Sequence, residues 1–232
     1  MVTKSWGGLT VRLTGGSDGN GGGEGPVVVL LHGFGAPGDD LVPLGDRLGS
    51  RARCVFPAAP IALPSEYGPG RAWWNIDMVR LQMAMLTGQT RDMSREVPHG
   101  LAAAREKVVA MLAELRRELA IGDAPIWLGG FSQGAMLACD VALRTTESLA
   151  GVALMSGTLL CEDEWLPLMA KRAGMRALVS HGRQDPVLPF SIAMRLRAEL
   201  ERAGVDLRWV PFDGAHGIAP EVLETFASML VA

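Results

Sequence analysis

The chain has 232 residues, 48% of them hydrophobic, and its 22 Lys and Arg against 25 Asp and Glu leave a net charge of -3. A chain of this length buries roughly 70% of its unfolded surface in one core, so a single domain over 1–232 is expected, and the balanced charge without like-charge runs excludes nucleic acid as a partner. No stretch approaches the ~20 apolar residues of a membrane span and the amino terminus lacks the apolar run of a signal peptide, so a cytoplasmic protein is expected, as a monomer or homodimer.

Residues 9–14 alternate apolar and polar and read as an edge strand, whereas 26–31 (PVVVLL) is a continuous apolar run and reads as a buried parallel strand. The glycine-rich GGSDGNGGGEG between them leads into a strand rather than a helix and lacks a Gly-Lys-Ser/Thr ending, so it reads as a flexible hairpin loop and not as a phosphate cradle. A short helix is expected over 39–50, opened by Asp39 and Asp40, followed by a buried strand at 53–57 and a long loop. Residues 98–120 carry a helical stripe of Leu101, Val108, Met111, Leu112, Leu115 and Leu119, with Arg105, Glu106, Arg116, Arg117 and Glu118 off it. The remainder reads as strand 125–130, helix 133–146, strand 150–156, a loop to 166, strand 175–181, helix 189–203, strand 206–212 and helix 219–231. Alternation of this kind implies an α/β architecture, a mostly parallel central sheet with helices on both faces. Chemistry in such sheets gathers at the carboxyl ends of the strands, which here are followed by the loops after residues 31, 130, 156, 181 and 212.

The loop after 125–130 reads Gly130-Phe131-Ser132-Gln133-Gly134, placed between a strand and a helix. A serine on so sharp a turn is lifted above the sheet, near the positive end of the following helix, and bulk at either glycine would collide with the turning backbone. Its hydroxyl needs a base, and histidine is the residue whose pKa suits the task. Of four histidines, His99 is expected to be exposed, while His32 and His181 sit in His-Gly turns with small stabilising roles. His216 follows the last strand and is the candidate base. Asp163, Asp185, Asp206 and Asp213 all lie between serine and histidine. Asp185 ends a strand, is followed by Pro186 and leaves 31 residues before His216, so it is preferred; Asp213 is too near the histidine, Asp206 opens a strand at the wrong end of the sheet, and Asp163 falls in a loop expected to roof the pocket. The backbone amides of Gln133 and Phe34, the latter in His32-Gly33-Phe34-Gly35, are the expected oxyanion donors. Cys54, Cys139 and Cys161 are too few and too scattered for a disulfide framework or a thiolate metal site and read as buried free thiols.

From about residue 27 onward the chain resembles the carboxylesterase/phospholipase branch of the α/β-hydrolases, which includes acyl-protein thioesterases. The resemblance rests on LLHGFG, PAAPIAL leading into RAWWNID, GGFSQGA, SHGRQDPVLP and GAHGI. It implies a compact sheet without a separate lid domain, no cofactor, no metal, and hydrolysis of small-molecule esters or thioesters with medium acyl chains. The chain departs from the pattern at Gly217, where relatives often carry glutamate, and at 77–97, which is longer and richer in methionine. Of Trp73 and Trp74, which the resemblance places beside the nucleophile, one is expected to anchor the core and the other to line the acyl pocket. Met83, Leu86 and Leu159 are taken as further substrate contacts, with the segment around Met83 and Leu86 either a flap over the site or filling under the long helix. The expected function is a serine carboxylesterase for short- to medium-chain esters; an acyl-protein thioesterase or lysophospholipase is the alternative within the class. A noncatalytic binding protein of the same fold is the alternative from another class, and it is disfavoured because none of Ser132, Asp185 and His216 is missing.

Overall fold

The computed structural model describes residues 1–49, 51–64, 69–77, 79, 83 and 92–231. β1 (Val2–Trp6) and β2 (Leu9–Gly15) form an antiparallel hairpin turned by Gly7 and Gly8, whose φ angles of 56° and 74° suit residues without Cβ. β1 is therefore the outer strand. The strand expected at the edge lies one position inward, because the alternation in β1 is short and polar on three consecutive residues and gives little signal. β2 pairs with β4 (Arg53–Pro57), not with β3 (Val27–Leu31), so the glycine-rich segment is a connection that passes the end of β4 and not a hairpin loop. Asp18 shapes it by accepting the N–H groups of Asn20 and Gly22 at 2.8 and 2.9 Å.

The sheet of eight strands continues through β3 and β4 to β7 (Ile126–Phe131), β8 (Leu149–Met155), β9 (Arg176–Gly182) and β10 (Asp206–Phe212), in the order β1-β2-β4-β3-β7-β8-β9-β10. All pairings from β4 to β10 are parallel, and a separate two-stranded ribbon joins β5 (Ile61–Ala62) to β6 (Arg71–Ala72). Period-two alternation divides the core. Val27, Val29 and Leu31 face one helical layer while Val28 and Leu30 face the other.

The first layer contains α1 (Leu101–Glu118), α2 (Gln133–Arg144), α3 (Glu162–Met169) and α4 (Phe190–Arg202), and the second contains α5 (Pro220–Val231) with a 3₁₀ turn at Val42–Arg47. The 3₁₀ turn replaces the helix expected over 39–50: Leu41 precedes it with no side-chain cap, so Asp39 and Asp40 do not open it. α3 stands where a loop to residue 166 was expected, and Asp163 is an exposed residue on that helix rather than part of a pocket roof. Eleven of the twelve residues of α2 are buried, because this helix is packed against the sheet and enclosed by its neighbours. Its buried Asp140 is matched by Arg105, Arg144 and Trp165 Nε1, at 2.6, 2.7 and 2.9 Å. All three cysteines are buried and free, and burial pushes the Cys54 thiol up to about 12 and that of Cys161 up to about 11.

Candidate active site

The turn from β7 into α2 sets Ser132 at φ 53° and ψ -116°, a conformation few non-glycine residues adopt. Packing over-determines it: Ser132 N–H donates to Met155 O and Ser132 O accepts from Met136 N–H. The two flanking glycines are required by proximity, not by φ. A Cβ on Gly134 would lie 2.0 Å from Leu31 O, and one on Gly130 would lie 2.4 Å from the same oxygen. The end of β3 and the start of α2 thus approach as closely as backbones can, and the loop after β3 is drawn over the serine. Gly33 lies on that loop, where a Cβ would sit 3.4 Å from Ser132 Cβ.

His216 lies between β10 and α5. Its Nε2 is 2.9 Å from Ser132 Oγ and its Nδ1 is 2.6 Å from Asp185 Oδ2, while its ring rests on Phe131 with centroids 4.8 Å apart. Ser156, at the end of β8, holds the following residue by donating its hydroxyl to Gly217 O at 2.7 Å. Asp185 follows β9 and is buried. Its Oδ1 accepts the N–H groups of Val187 and Leu188 at 2.8 and 2.9 Å, which caps the turn that Pro186 begins. Burial pushes the Asp185 carboxyl upward, but hydrogen bonds from His181 and His216, the charge of His216 and the Leu188 N–H together hold it well below the usual carboxylate range. Asp185 is therefore a carboxylate at neutral pH. The structure brings Ser132, His216 and Asp185 into one hydrogen-bonded row. Asp213 is exposed and pairs with Arg183 at 3.5 Å, and Asp206 opens β10 at the far end of the sheet.

His181, expected only to stabilise its His-Gly turn, stands beside the carboxylate of Asp185. It is wholly buried in β9, where its Nε2 is hydrogen-bonded to Leu188 O at 3.0 Å and lies 3.2 Å from Asp185 Oδ2, the oxygen that receives His216. Among the described residues its Nδ1 has no hydrogen-bond partner, which fits the Nε2–H tautomer. The i,i+4 spacing of His181 and Asp185 was visible, but only the turn after β9 folds that spacing back on itself.

His32, expected to stabilise its turn, does so from a buried position. Nε2 accepts Ala59 N–H at 2.9 Å, which leaves Nδ1 to donate to Gly33 O at 2.7 Å. Burial lowers its pKa, only partly offset by the Gly33 carbonyl and Asp40, so the ring is neutral. The Phe34-Gly35 turn is closed by Ala36 N–H to Gly33 O and tied to β6 by Gly35 N–H to Arg71 O at 2.9 Å. Gln133 is the first residue of α2, so its N–H belongs to the opening turn, which has no intrahelical acceptor.

Trp73 and Trp74 are both buried, at 1% and 3% exposure, so both anchor the core and the expected division between anchor and pocket wall is corrected. Trp73 Nε1 donates to His32 O at 2.9 Å, which turns the ring inward. Leu159 is also fully buried and presents no surface to a pocket; it packs into the core from the loop after β8. Met83 is 55% exposed and so does not fill the core under α1, whereas Leu86 lies outside the described residues.

The match to known proteins takes in the architecture from β3 to α5 and leaves out the β1-β2 hairpin. A family model described as Phospholipase/Carboxylesterase covers residues 21–231. The chain belongs to that family. It is an α/β-hydrolase by fold and a serine hydrolase by class. An acyl-protein thioesterase 1 of Eremothecium gossypii is 29% identical over 217 residues, covering 88% of this chain and 86% of that protein. A probable carboxylesterase of Oryza sativa is 28% identical over 221 residues, covering 88% and 76%. Among solved structures, esterase PE8 superposes with a TM-score of 0.77 at 28% identity over 96% of this chain and 98% of that one. A carboxylesterase from Mesorhizobium loti, at 21% identity and TM-score 0.75 over 96% and 94%, shares the fold. Among the described residues no helix is long and apolar enough to cross a membrane.

Proposed function

We propose that this family member is a carboxylesterase of short- to medium-chain esters, acting through an acyl-enzyme on Ser132 within one domain spanning 1–232. The observation that carries the reading is the unbroken row from Asp185 through His216 to Ser132, at 2.6 and 2.9 Å. His216 Nε2 takes the proton of Ser132 Oγ as the oxygen attacks the ester carbonyl, and the carbonyl π electrons move onto its oxygen. Asp185 holds Nδ1–H and stabilises the imidazolium that forms. The N–H groups of Gln133 and Phe34 bind the oxyanion. Collapse of the intermediate expels the alcohol, which takes its proton from His216. Water, deprotonated by the same histidine, then releases the acid and restores Ser132.

Nothing in this row distinguishes an oxygen from a sulfur leaving group, and a thiolate leaves more readily than an alkoxide. The thioesterase reading is supported by the named acyl-protein thioesterase of Eremothecium gossypii. Parallel kinetics on p-nitrophenyl butyrate, butyryl- and palmitoyl-CoA and a lysophospholipid test the substrate class, and fluorophosphonate labelling followed by peptide mass spectrometry tests the nucleophile. An adduct confined to Ser132, absent in Ser132→Ala, is the expected result; an adduct elsewhere refutes the reading.

A further inference from the structure

Three buried polar side chains around the serine take no part in the proton transfers: His32, Trp73 and Gln133. The Gln133 side chain, 1% exposed, uses both ends of its amide on one neighbouring loop. Oε1 accepts Trp73 N–H and Nε2 donates to Trp74 O, each at 2.9 Å. Trp73 in turn donates Nε1–H to His32 O, and His32 bridges the carbonyl of Gly33 and the N–H of Ala59. Arg71 continues the tie by donating Nε–H to Ala59 O, while its own carbonyl receives Gly35 N–H and its N–H reaches Ala36 O. The backbone of Gln133 and that of Phe34 belong to different loops, one after β7 and one after β3. Between them runs a path of hydrogen bonds through residues 71–74, buried at Gln133, Trp73 and His32 and half-buried at Arg71.

We infer that Gln133, Trp73 and His32 form a clasp that fixes the separation of the Gln133 and Phe34 amides, so that the oxyanion hole is assembled before substrate arrives. The inference rests on the proposed acyl transfer and assigns these side chains positioning roles. An amide donor displaced by half an ångström or tilted off line loses much of its hydrogen bond to the oxyanion. The clasp matters where charge develops, in the transition state, and little for ground-state binding. Gln133 therefore serves twice, its N–H toward the oxyanion and its side chain toward the loop that holds the other donor in place.

Gln133→Met keeps the side-chain volume and the backbone N–H while removing both bonds to residues 73 and 74. It is expected to lower kcat by roughly 10²-fold, the effect of losing one oxyanion donor, with KM changed by less than about threefold. Affinity for a trifluoromethyl ketone or boronic acid, which carries an oxyanion once bound to Ser132, should fall by the same factor. Trp73→Phe, which removes the bond to His32 O together with part of a buried ring, should lower both by roughly fivefold or more, the worth of one neutral hydrogen bond setting the lower bound. Active sites are counted by fluorophosphonate titration, so that a drop caused by misfolding appears as fewer sites with wild-type turnover. Wild-type kcat and analogue affinity per titrated site in Gln133→Met overturns the clasp, and so does a loss fully accounted for by missing sites. If Gln133→Met does not fold, Trp73→Phe decides by the same criteria. Ser132→Ala run alongside separates the two ideas: activity surviving in it removes the proposed nucleophile, whereas its loss beside unaffected clasp variants removes only the clasp.

Discussion

Asp185→Asn is the most informative single change, because the surroundings of the carboxylate dictate how an amide must sit. Two backbone donors, Val187 N–H and Leu188 N–H, converge on Oδ1, so the amide oxygen stays there and the NH₂ takes the place of Oδ2. That position faces His216 Nδ1 at 2.6 Å and His181 Nε2 at 3.2 Å. His216 can then only accept at Nδ1, which moves its proton to Nε2 and leaves no lone pair for the Ser132 hydroxyl. At His181 the new NH₂ opposes an existing N–H. Loss of one charge-assisted bond and one orphaned donor together cost about 2–4 kcal/mol of stability, lessened because a buried carboxylate no longer needs compensation. The wrong tautomer costs far more in rate, on the order of 10⁴ in kcat, or about 5.4 kcal/mol of barrier. Steady-state hydrolysis of p-nitrophenyl butyrate, normalised to correctly folded protein by circular dichroism, reads both quantities. Asp163→Asn and Asp213→Asn, on exposed residues, should stay within roughly tenfold of wild type. Near-wild-type kcat in Asp185→Asn, or a crippled Asp163→Asn, refutes the assignment of the third member.

Ser132→Ala and His216→Ala are each expected to lower kcat by about 10⁴ or more, and the double variant should be hardly slower than either, since the two act as a unit; additive losses in a double-mutant cycle argue against a shared step. Gly134→Ala places a Cβ 2.0 Å from Leu31 O and should cost about 3 kcal/mol or more in urea unfolding, with loss of activity, whereas Gly217→Ala meets nothing within 4 Å among the described residues and should be silent in the same assay. His32 is neutral in the fold because burial lowers its pKa from 6.5. The unfolded chain therefore takes up a proton there that the fold refuses, and stability falls as pH drops from about 6.5 toward the lower folded value, by at most about 1.36 kcal/mol per pH unit. His32→Asn should flatten the decline in Tm between pH 7.5 and 5, and an unchanged slope dissociates His32 from it. If the segment around Met83 and Leu86 borders an acyl chain, kcat/KM should rise up to about fourfold per added CH₂ and the slope should flatten in Met83→Ser/Leu86→Ser with acetate hydrolysis kept; equal loss on all chain lengths with a lowered Tm removes that idea.

The alternation of strands and helices, the Gly-x-Ser-x-Gly turn and the order serine, aspartate, histidine were all legible in the chain, because each is a local pattern with a local cause. Apolar runs make buried parallel strands, and two glycines admit a backbone contact that no side chain survives. The folded chain alone could supply what depends on neighbours distant in sequence. Trp73 is held inward by His32 O and Gln133 Oε1, which accept its two N–H groups from 41 and 60 residues away, and Trp74 O accepts the Gln133 Nε2–H from 59 residues away. The passage of the glycine-rich connection beyond β4 depends on β2 choosing β4 over β3, a decision made by sheet order and not by the loop. The helix at Glu162–Met169 arises despite an internal proline, with Trp165 wholly buried and bonded to Asp140. The low pKa of Asp185 belongs to this second class as well: the sequence supplies a carboxylate, and only the fold sets two histidines and two backbone N–H groups around it.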